Sequence, residues 1–267
     1  MLEVSRHDDV HRLNFSTWRS RRVGYSVSAF VVRGVLIDSA FDDVGPELLS
    51  WASANGIKGA IITHAHDDHG GNAERFARTG LPLQMMPETE ALLRAPRTRG
   101  LHRRWTWGRM PLLVSPVTAF VAPKLELLEA RGHSSDHHVV WDADTETLFA
   151  ADLFLSVKVK VAHPVEREDV RQQIGSVRRI AALKPRRVFD AHRGLLKDGV
   201  TLLEAKANWI EETVGRIDRR IDEGWIDNAI IRDVFGGESI FAYTTFGDFS
   251  RANFVASVRL THAAAGR

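Results

Sequence analysis

The order of apolar and polar positions divides the chain into short strand-like runs and longer helical stretches. Val23 to Val32 is dense in β-branched and aromatic residues, and Arg33-Gly34 turns it into Val35-Leu36-Ile37-Asp38. Residues 10–40 therefore read as two or three strands. Asp43 to Asn55 places Leu48, Leu49 and Trp51-Ala52 at helical spacing, with Asn55-Gly56 as a stop. Ile57 to Thr63 predicts a strand, Asn72 to Arg78 a short helix, Pro82 to Met86 a strand and Pro87 to Arg94 a helix. That alternation belongs to an α/β protein.

From Ala95 to Pro116 the pattern dissolves into prolines, glycines and arginines around Trp105 and Trp107. The expectation is a long loop, functional or stapled to the core by its tryptophans. Val117 to Val121, Leu125 to Glu129, Val139 to Asp142 and Thr147 to Ala151 follow as strands, Val165 to Leu183 as a helix, and Arg187 to Asp190 as a strand. Leu202 to Ile221 predicts an amphipathic helix with Ile210, Val214, Ile217 and Ile221 on one stripe, and short helical pieces continue towards Leu260.

Composition narrows the chemistry. The 267 residues contain no cysteine, so a metal would be held by nitrogen and oxygen alone, and disulfides and thiolate nucleophiles are excluded. A net charge of +2 argues against a dedicated nucleic-acid binder. No apolar run reaches the roughly 18 residues of a membrane span, and residues 1–12 are polar and charged, unlike a secretory signal. The expectation is a cytoplasmic protein with a small-molecule substrate and neither a nucleic-acid nor a membrane partner.

The stretch Thr63-His64-Ala65-His66-Asp67-Asp68-His69-Gly70-Gly71-Asn72 concentrates three imidazoles and two carboxylates behind an apolar strand. Residues two apart in a strand point the same way, so His64 and His66 can reach one metal together. Asp68 and His69 follow the turn and point elsewhere, to a second metal or back to the first. Adjacent glycines let the backbone fold tightly behind them. Imidazole and carboxylate suit zinc, iron or manganese. Further ligands are available at strand ends, where α/β sites collect: His133 in Gly132-His133-Ser134-Ser135-Asp136-His137-His138, Asp152 after Leu148 to Ala151, and His192 after Val188 to Ala191. Asp38 is either a group orienting a ligand or a simple strand end. His137 and His138 are either orienting groups or polar residues at a strand entrance. His163 could touch substrate, and His7, His11, His102 and His262 read as surface residues.

The motif His64-Ala65-His66-Asp67-Asp68-His69, followed in order by Gly132-His133-Ser134, Asp152 and His192, resembles the metallo-β-lactamase-fold hydrolases, and within them the glyoxalase II (hydroxyacylglutathione hydrolase) branch. The resemblance covers residues 25–195. It implies an α/β fold of four layers, αββα, with two mixed sheets between helices. It also implies a catalytic domain over residues 1–198 and a helical extension over 199–267 packed on it. Carried over residue by residue, His64, His66 and His133 would hold one metal, Asp68, His69 and His192 the other, and Asp152 would bridge them. The implied cofactor is a pair of divalent ions, zinc first, with iron or manganese as alternatives. The implied reaction is cleavage of an ester, thioester or lactone by a hydroxide bridging the two ions, with Asp68 and Asp152 as the catalytic carboxylates and Asp68 managing the proton.

The substrate is less determined, because one fold hosts many reactions. Leu155 stands where homoserine lactonases of the family carry a tyrosine, three residues after the bridging aspartate, and the chain has only Tyr25 and Tyr243. His102-Arg103-Arg104-Trp105 is too short a basic stretch to carry a nuclease reading. The aromatic-rich tail, Phe235, Phe241, Tyr243, Phe246, Phe249 and Phe254, either fastens the last helices to the core or closes one side of an acyl pocket. Alternatives are a persulfide dioxygenase-like enzyme with one iron, a phosphodiesterase, and a non-catalytic binding protein of the same fold. All seven ligand positions being filled weighs against the last.

Overall fold

A computed structural model of the chain describes residues 1–95, 100–163 and 168–265. The first part runs β1 (Leu2–His7), β2 (Val10–Phe15), α1 (Trp18–Arg22), β3 (Val27–Val32), β4 (Val35–Ile37), a 3₁₀ turn at Asp42–Val44, α2 (Gly45–Ala54), β5 (Gly59–Ile61), α3 (Asp67–Gly70), α4 (Ala73–Thr79), β6 (Leu83–Gln84), α5 (Pro87–Arg94) and α6 (Leu101–Trp107). The rest runs β7 (Glu126–Glu129), β8 (His138–Asp142), β9 (Thr147–Phe149), α7 (Val170–Ala181), β10 (Arg187–Asp190), β11 (Gly194–Leu195), α8 (Gly199–Asp222), α9 (Asp227–Phe235), α10 (Ile240–Thr244) and α11 (Arg251–Ala265).

Among the described residues these strands form two sheets, ordered β1-β2-β3-β4-β5-β6 and β11-β10-β9-β8-β7. Each is mixed: β4, β5 and β6 run parallel in the first, as do β9 and β10 in the second, and the remaining pairs are antiparallel. Strand residues alternate between faces, and both faces here are covered. In the first sheet Val27, Ala29, Val31, Leu36 and Ala60 face the helix side with Leu48 of α2 and Phe76 of α4. Their neighbours Phe30, Val32, Val35, Ile37 and Ile61 face Val140, Phe149 and Phe189 of the second sheet. On the far side of that sheet Val139, Leu148 and Val188 meet Val177 and Ile180 of α7 and Leu203 and Ala207 of α8. Two-sided burial is why these strands read as unbroken apolar runs instead of alternating ones. The result is a four-layer αββα sandwich.

The long helix α8 belongs to two environments. Leu203 and Ala207 pack on the second sheet, whereas Ile210, Val214 and Ile217 build a separate apolar cluster with Ile230 and Ile231 of α9 and Phe254, Val255 and Val258 of α11. The stripe read from the sequence is that seam.

Several elements depart from the sequence reading, each for a physical reason. β1 pairs with β2 over six residues but is exposed along most of its length, so no alternation announces it. α1 is a single turn set by a capping box between Thr17 and Ser20. The expected loop from Ala95 to Pro116, of which residues 96–99 lie outside the described residues, contains α6, whose buried residues are Arg103, Thr106 and Trp107; with one apolar residue among these three, it has no apolar periodicity to find. Val117 to Val121 is not a strand: Ala119 makes one bridge to Leu83, and Val121 is exposed. The helix expected over residues 165–183 starts at Val170, capped by Asp169, and residues 164–167 lie outside the described residues. Among the described residues no helix is long and apolar enough to cross a membrane.

The junction between the sheets rests on Phe30 of the first sheet, whose ring lies 5.6 Å from Phe149 and 5.3 Å from Phe189 of the second. Phe30→Ala should cost about 3–5 kcal/mol, as buried aromatic truncations do. A urea denaturation curve should show an earlier midpoint at unchanged slope.

Candidate metal centre

The site lies where the strand ends of both sheets meet, and His64, His69 and His192 are each fixed by an outer contact of their own. β5 runs on through Ile62 to Thr63, whose backbone N–H and hydroxyl both donate to the Asp38 carboxylate at the end of β4, at 2.8 and 2.9 Å. The other oxygen of Asp38 lies 2.7 Å from Nδ1 of His69. Asp38 is therefore an orienting group and not a bare strand end. The ring nitrogen Nδ1 of His64 sits 3.0 Å from the Thr63 hydroxyl, and Nδ1 of His192 sits 2.7 Å from the carbonyl of Ser26. With Nδ1 engaged outward, Nε2 of His64, His69 and His192 is left for the interior.

Tight backbone passages hold the ligand loops. A Cβ on Gly71 would stand 2.3 Å from the carbonyl oxygen of Asp67 and 2.7 Å from that of Ala40, so the turn behind His69 closes only on glycine. Gly132 has φ +125°, and a Cβ there would press on the backbone of Gln173 at 2.4 Å, which fixes the entry to His133 against α7. Asp136 ties the two motifs together, accepting from the Ala65 N–H and the Ser134 hydroxyl, each at 2.8 Å. His137, fully buried, accepts the backbone N–H of Asp152 on Nε2 at 3.2 Å while its Nδ1 lies 3.0 Å from the Ala130 carbonyl. It is a positioning residue, whereas His138 bonds the Asp136 carbonyl within its own strand entrance.

All seven predicted ligands converge. His64, His66, His133 and Asp152 each bring one ligand atom to a common point, the atoms lying within 4.8 Å of one another, and Asp68, His69 and His192 do the same beside them. The Asp152 carboxylate stands between the sets. Its Oδ2 is 3.2 Å from Nε2 of His133, and its Oδ1 is 3.2 Å from Nε2 of both His69 and His192. Nε2 of His64 is buried with no hydrogen-bond partner, a lone pair that a cation at that point would engage. The donor set is nitrogen and oxygen only, as zinc, iron or manganese accept. The residues fit a metal.

The electrostatics are those of a site built for cations. Burial, with the neighbouring imidazoles of His69 and His66, pushes His64 well below the ordinary histidine range. Burial also opposes charge on His69 and His192, but the carboxylate of Asp152, with Asp38 or Asp68, overcomes it: His69 is held well above the usual value and His192 is raised to about 9. Against its own burial, Asp152 is pulled well below the usual carboxylate range by His69 and His192. Asp68 is likewise lowered, against its burial, by His69 and Arg103.

Four contributors were not identified from the sequence. Arg103 of α6 reaches Asp67 at 3.3 Å and Asp68 at 3.4 Å, nearly buried. Its only signal was a basic run inside an unpatterned stretch. Tyr25 lines the cavity above Asp68 and His192, next to Ser26, and nothing in its strand entrance marks it. Lys206, on α8 and fully buried, donates to the carbonyls of Leu153 and Phe154 at 2.7 and 2.8 Å, immediately after Asp152. His102 was read as a surface residue but lies half-buried against the rings of Phe241 and Phe249 and lines the cavity. His163 is buried with its ring 5.1 Å from Phe249 and is not among the residues lining the cavity over the metal ligands. Trp107 staples α6 to Phe41 of the core, whereas Trp105 remains half-exposed against Trp18.

The sequence model of the metallo-β-lactamase superfamily matches residues 22–192. The chain belongs to the metallo-β-lactamase superfamily. A relative, the β-lactamase-like protein 2 homolog of Drosophila melanogaster, is 26% identical over 211 residues, which cover 71% of this chain and 60% of that protein. The chain thus spans under two thirds of the length of that relative. A metallo-β-lactamase family protein of Thermus thermophilus shares the fold with a TM-score of 0.65 at 16% identity, over 96% of this chain and 92% of its own. A metallo-β-lactamase from Pontibacter korlensis does so with a TM-score of 0.61 at 20% identity, over 79% of this chain and 99% of its own. Superfamily membership and the His/Asp cluster together support a metal-dependent hydrolase.

Two predictions come from this geometry. In the metal-free chain His192 keeps its proton up to about pH 9, whereas an unfolded histidine releases it near 6.5. The folded state therefore binds the extra proton between those values, and stability falls as pH rises through them. Lys206, lowered to about 8 by burial, contributes with the opposite sign only above pH 8. Thermal melting of the chelated protein should therefore drop between pH 6.5 and 8, and the metal-loaded protein, whose ligand imidazoles carry no proton on the metal-facing nitrogen, should lack that drop. Separately, Lys206→Met strands two buried carbonyls, at about 1–3 kcal/mol each before relief of the buried charge. The net expectation is a loss of about 1–3 kcal/mol in chemical denaturation with metal affinity weakened about tenfold, the low end for losing an outer partner.

Proposed function

We propose that the chain is a dinuclear metallohydrolase that cleaves an ester, thioester or lactone, of the glyoxalase II-like type, with two divalent ions, zinc in first place. The observation that carries this reading is the split Asp152 carboxylate, one oxygen beside His133 and the other beside His69 and His192. A carboxylate placed so would serve two cations at once. His64, His66 and His133 would hold one, and Asp68, His69 and His192 the other. Cations held by these residues would lower the pKa of bound water towards neutrality and polarise a carbonyl oxygen.

The chain's own residues supply the rest. Asp68, whose pKa is lowered against its burial by His69 and Arg103, would accept a proton and release it to the leaving group. Arg103, closing over Asp67 and Asp68, limits the carboxylate's freedom to turn away. Tyr25, whose phenol is held protonated by burial and by the Asp68 charge, lines the cavity beside that carboxylate. Its hydroxyl is suited to donate to a substrate oxygen. The substrate is a small molecule; neither a nucleic acid nor a membrane is required by this reading, and it is compatible with a cytoplasmic setting.

The test is metal analysis of the purified protein together with a panel of ester, thioester, lactone, β-lactam and phosphodiester substrates. Two equivalents of zinc, manganese or iron with carbonyl-substrate turnover are expected. One iron per chain would favour the dioxygenase alternative, and turnover of the phosphodiester alone would favour the phosphodiesterase one. His66→Ala and Asp152→Ala should each lose bound metal and reduce kcat/KM by more than about 100-fold, beyond what loss of an outer partner gives. Full turnover in either variant would overturn the ligand assignment.

A further inference from the structure

The cavity at the candidate ligands has a volume of about 340 Å³ and is lined by Asp68, His133, Asp152 and His192. Its other charged lining residues are Arg103, Glu168 and Arg193. Trp107, Leu155, Val159, Val161, Phe241 and Phe249 also line it, drawn from α6, the segment after Asp152 and the C-terminal region. These six side chains offer a surface without charge. The rings of Phe241 and Phe249 lie 5.6 Å apart, and the His102 ring, held below its usual pKa by burial and by Arg103, packs its edge on both.

The segment 157–161 reads Val-Lys-Val-Lys-Val. Lys158 and Lys160 are exposed while Val159 and Val161 line the cavity, the alternation of an extended chain with one apolar face. Arg193, exposed at the rim, donates through Nε to the Leu155 carbonyl. Exposed cations thus flank a lining rich in hydrocarbon. A polar group pressed against the inner wall would lose water without a compensating bond, whereas a methylene chain there gains about 0.8 kcal/mol for each CH₂ buried.

We infer that the substrate is a carboxylic ester or thioester whose acyl group is an apolar hydrocarbon chain, seated against Phe241, Phe249, Val159 and Val161 with its carbonyl at the metal ligands. The leaving group faces the open, cationic rim. This rests on the hydrolytic reading above and names the class of substrate that the same site takes.

The experiment uses the metal-loaded full chain and a series of straight-chain acyl thioesters from acetyl to octanoyl, with a matched series of acetate esters whose alcohol is lengthened. kcat/KM should rise about fourfold for each added acyl methylene until the cavity is filled, and should not rise along the alcohol series. In Phe241→Ala, and independently in Val159→Ser from a different segment, the octanoyl-to-acetyl ratio should fall by about tenfold or more. Turnover of acetyl thioester with a flat or falling acyl series would overturn this inference and leave the hydrolase reading standing. A rise along the alcohol series instead, or an unchanged ratio in both variants, would overturn it equally. No turnover of any ester, thioester or lactone by a fully metallated chain would remove the hydrolase reading itself, and the inference with it.

Discussion

A carboxylate that is 4% exposed and stands among three imidazoles is the constraint around which this molecule is arranged. Taking an ion from water into a protein interior costs several kcal/mol even after relaxation, and here the compensation is positive charge on the surrounding groups. In the metal-free chain it comes from protons on His69 and His192, which Asp152 holds above their ordinary range. The outer contacts of His69 to Asp38 and of His192 to the Ser26 carbonyl use Nδ1, so Nε2 of each ring faces Asp152 and would be free to exchange its proton for a cation.

That arrangement requires groups from both sheets to meet at fixed distances, and the packing explains how they do. Asp38, Thr63 and the His64–His69 turn come from the first sheet, whereas Asp152, His192 and the His133 loop come from the second. The sheets are locked by aromatic contacts of Phe30 with Phe149 and Phe189. At the edge of that core, Asp136 holds the Ala65 N–H and the Ser26 carbonyl holds His192, each bridging sequence-distant segments. Lys206 adds the helical layer to the same network by tying α8 to the residues after Asp152. A buried lysine of lowered pKa is an unfavourable way to fill space, so its two carbonyl partners are the physical reason for its position.

What the sequence made legible follows from how local each signal is. Five ligand-type side chains within six residues, behind an apolar strand, are a local signal, and His133, Asp152 and His192 stand out because strand ends are recognisable from the runs before them. The apolar runs of β3, β5, β8 and β10 were visible for the same reason, since two-sided burial leaves no polar interruption. Arg103, Tyr25 and Lys206 were not legible because their roles exist only through contacts across many residues of chain. Arg103 also sits in a helix with one apolar residue among its three buried ones, and β1 is a strand whose faces are mostly wet; neither carries the periodicity by which elements are found. The aromatic tail divided between both readings offered for it. Phe254 is core, Phe241 and Phe249 line the cavity, and Tyr243 and Phe246 remain exposed.

The same division separates what fixes the chemistry from what selects the substrate. The candidate ligands hang on or beside strand ends that are buried on both faces, so moving them disturbs the core as well. The apolar wall is made of α6, the extended 157–161 segment and the region around α10, elements that contribute few residues to the inter-sheet core. Apart from Trp107, which packs on Phe41 of the core, side chains there can change size or polarity at little cost to the sandwich. Arg103 is the exception that couples the two, since it belongs to α6 yet pairs with Asp67 and Asp68. A displacement of α6 by a bound group would therefore be felt at Asp68, the carboxylate proposed to move the proton.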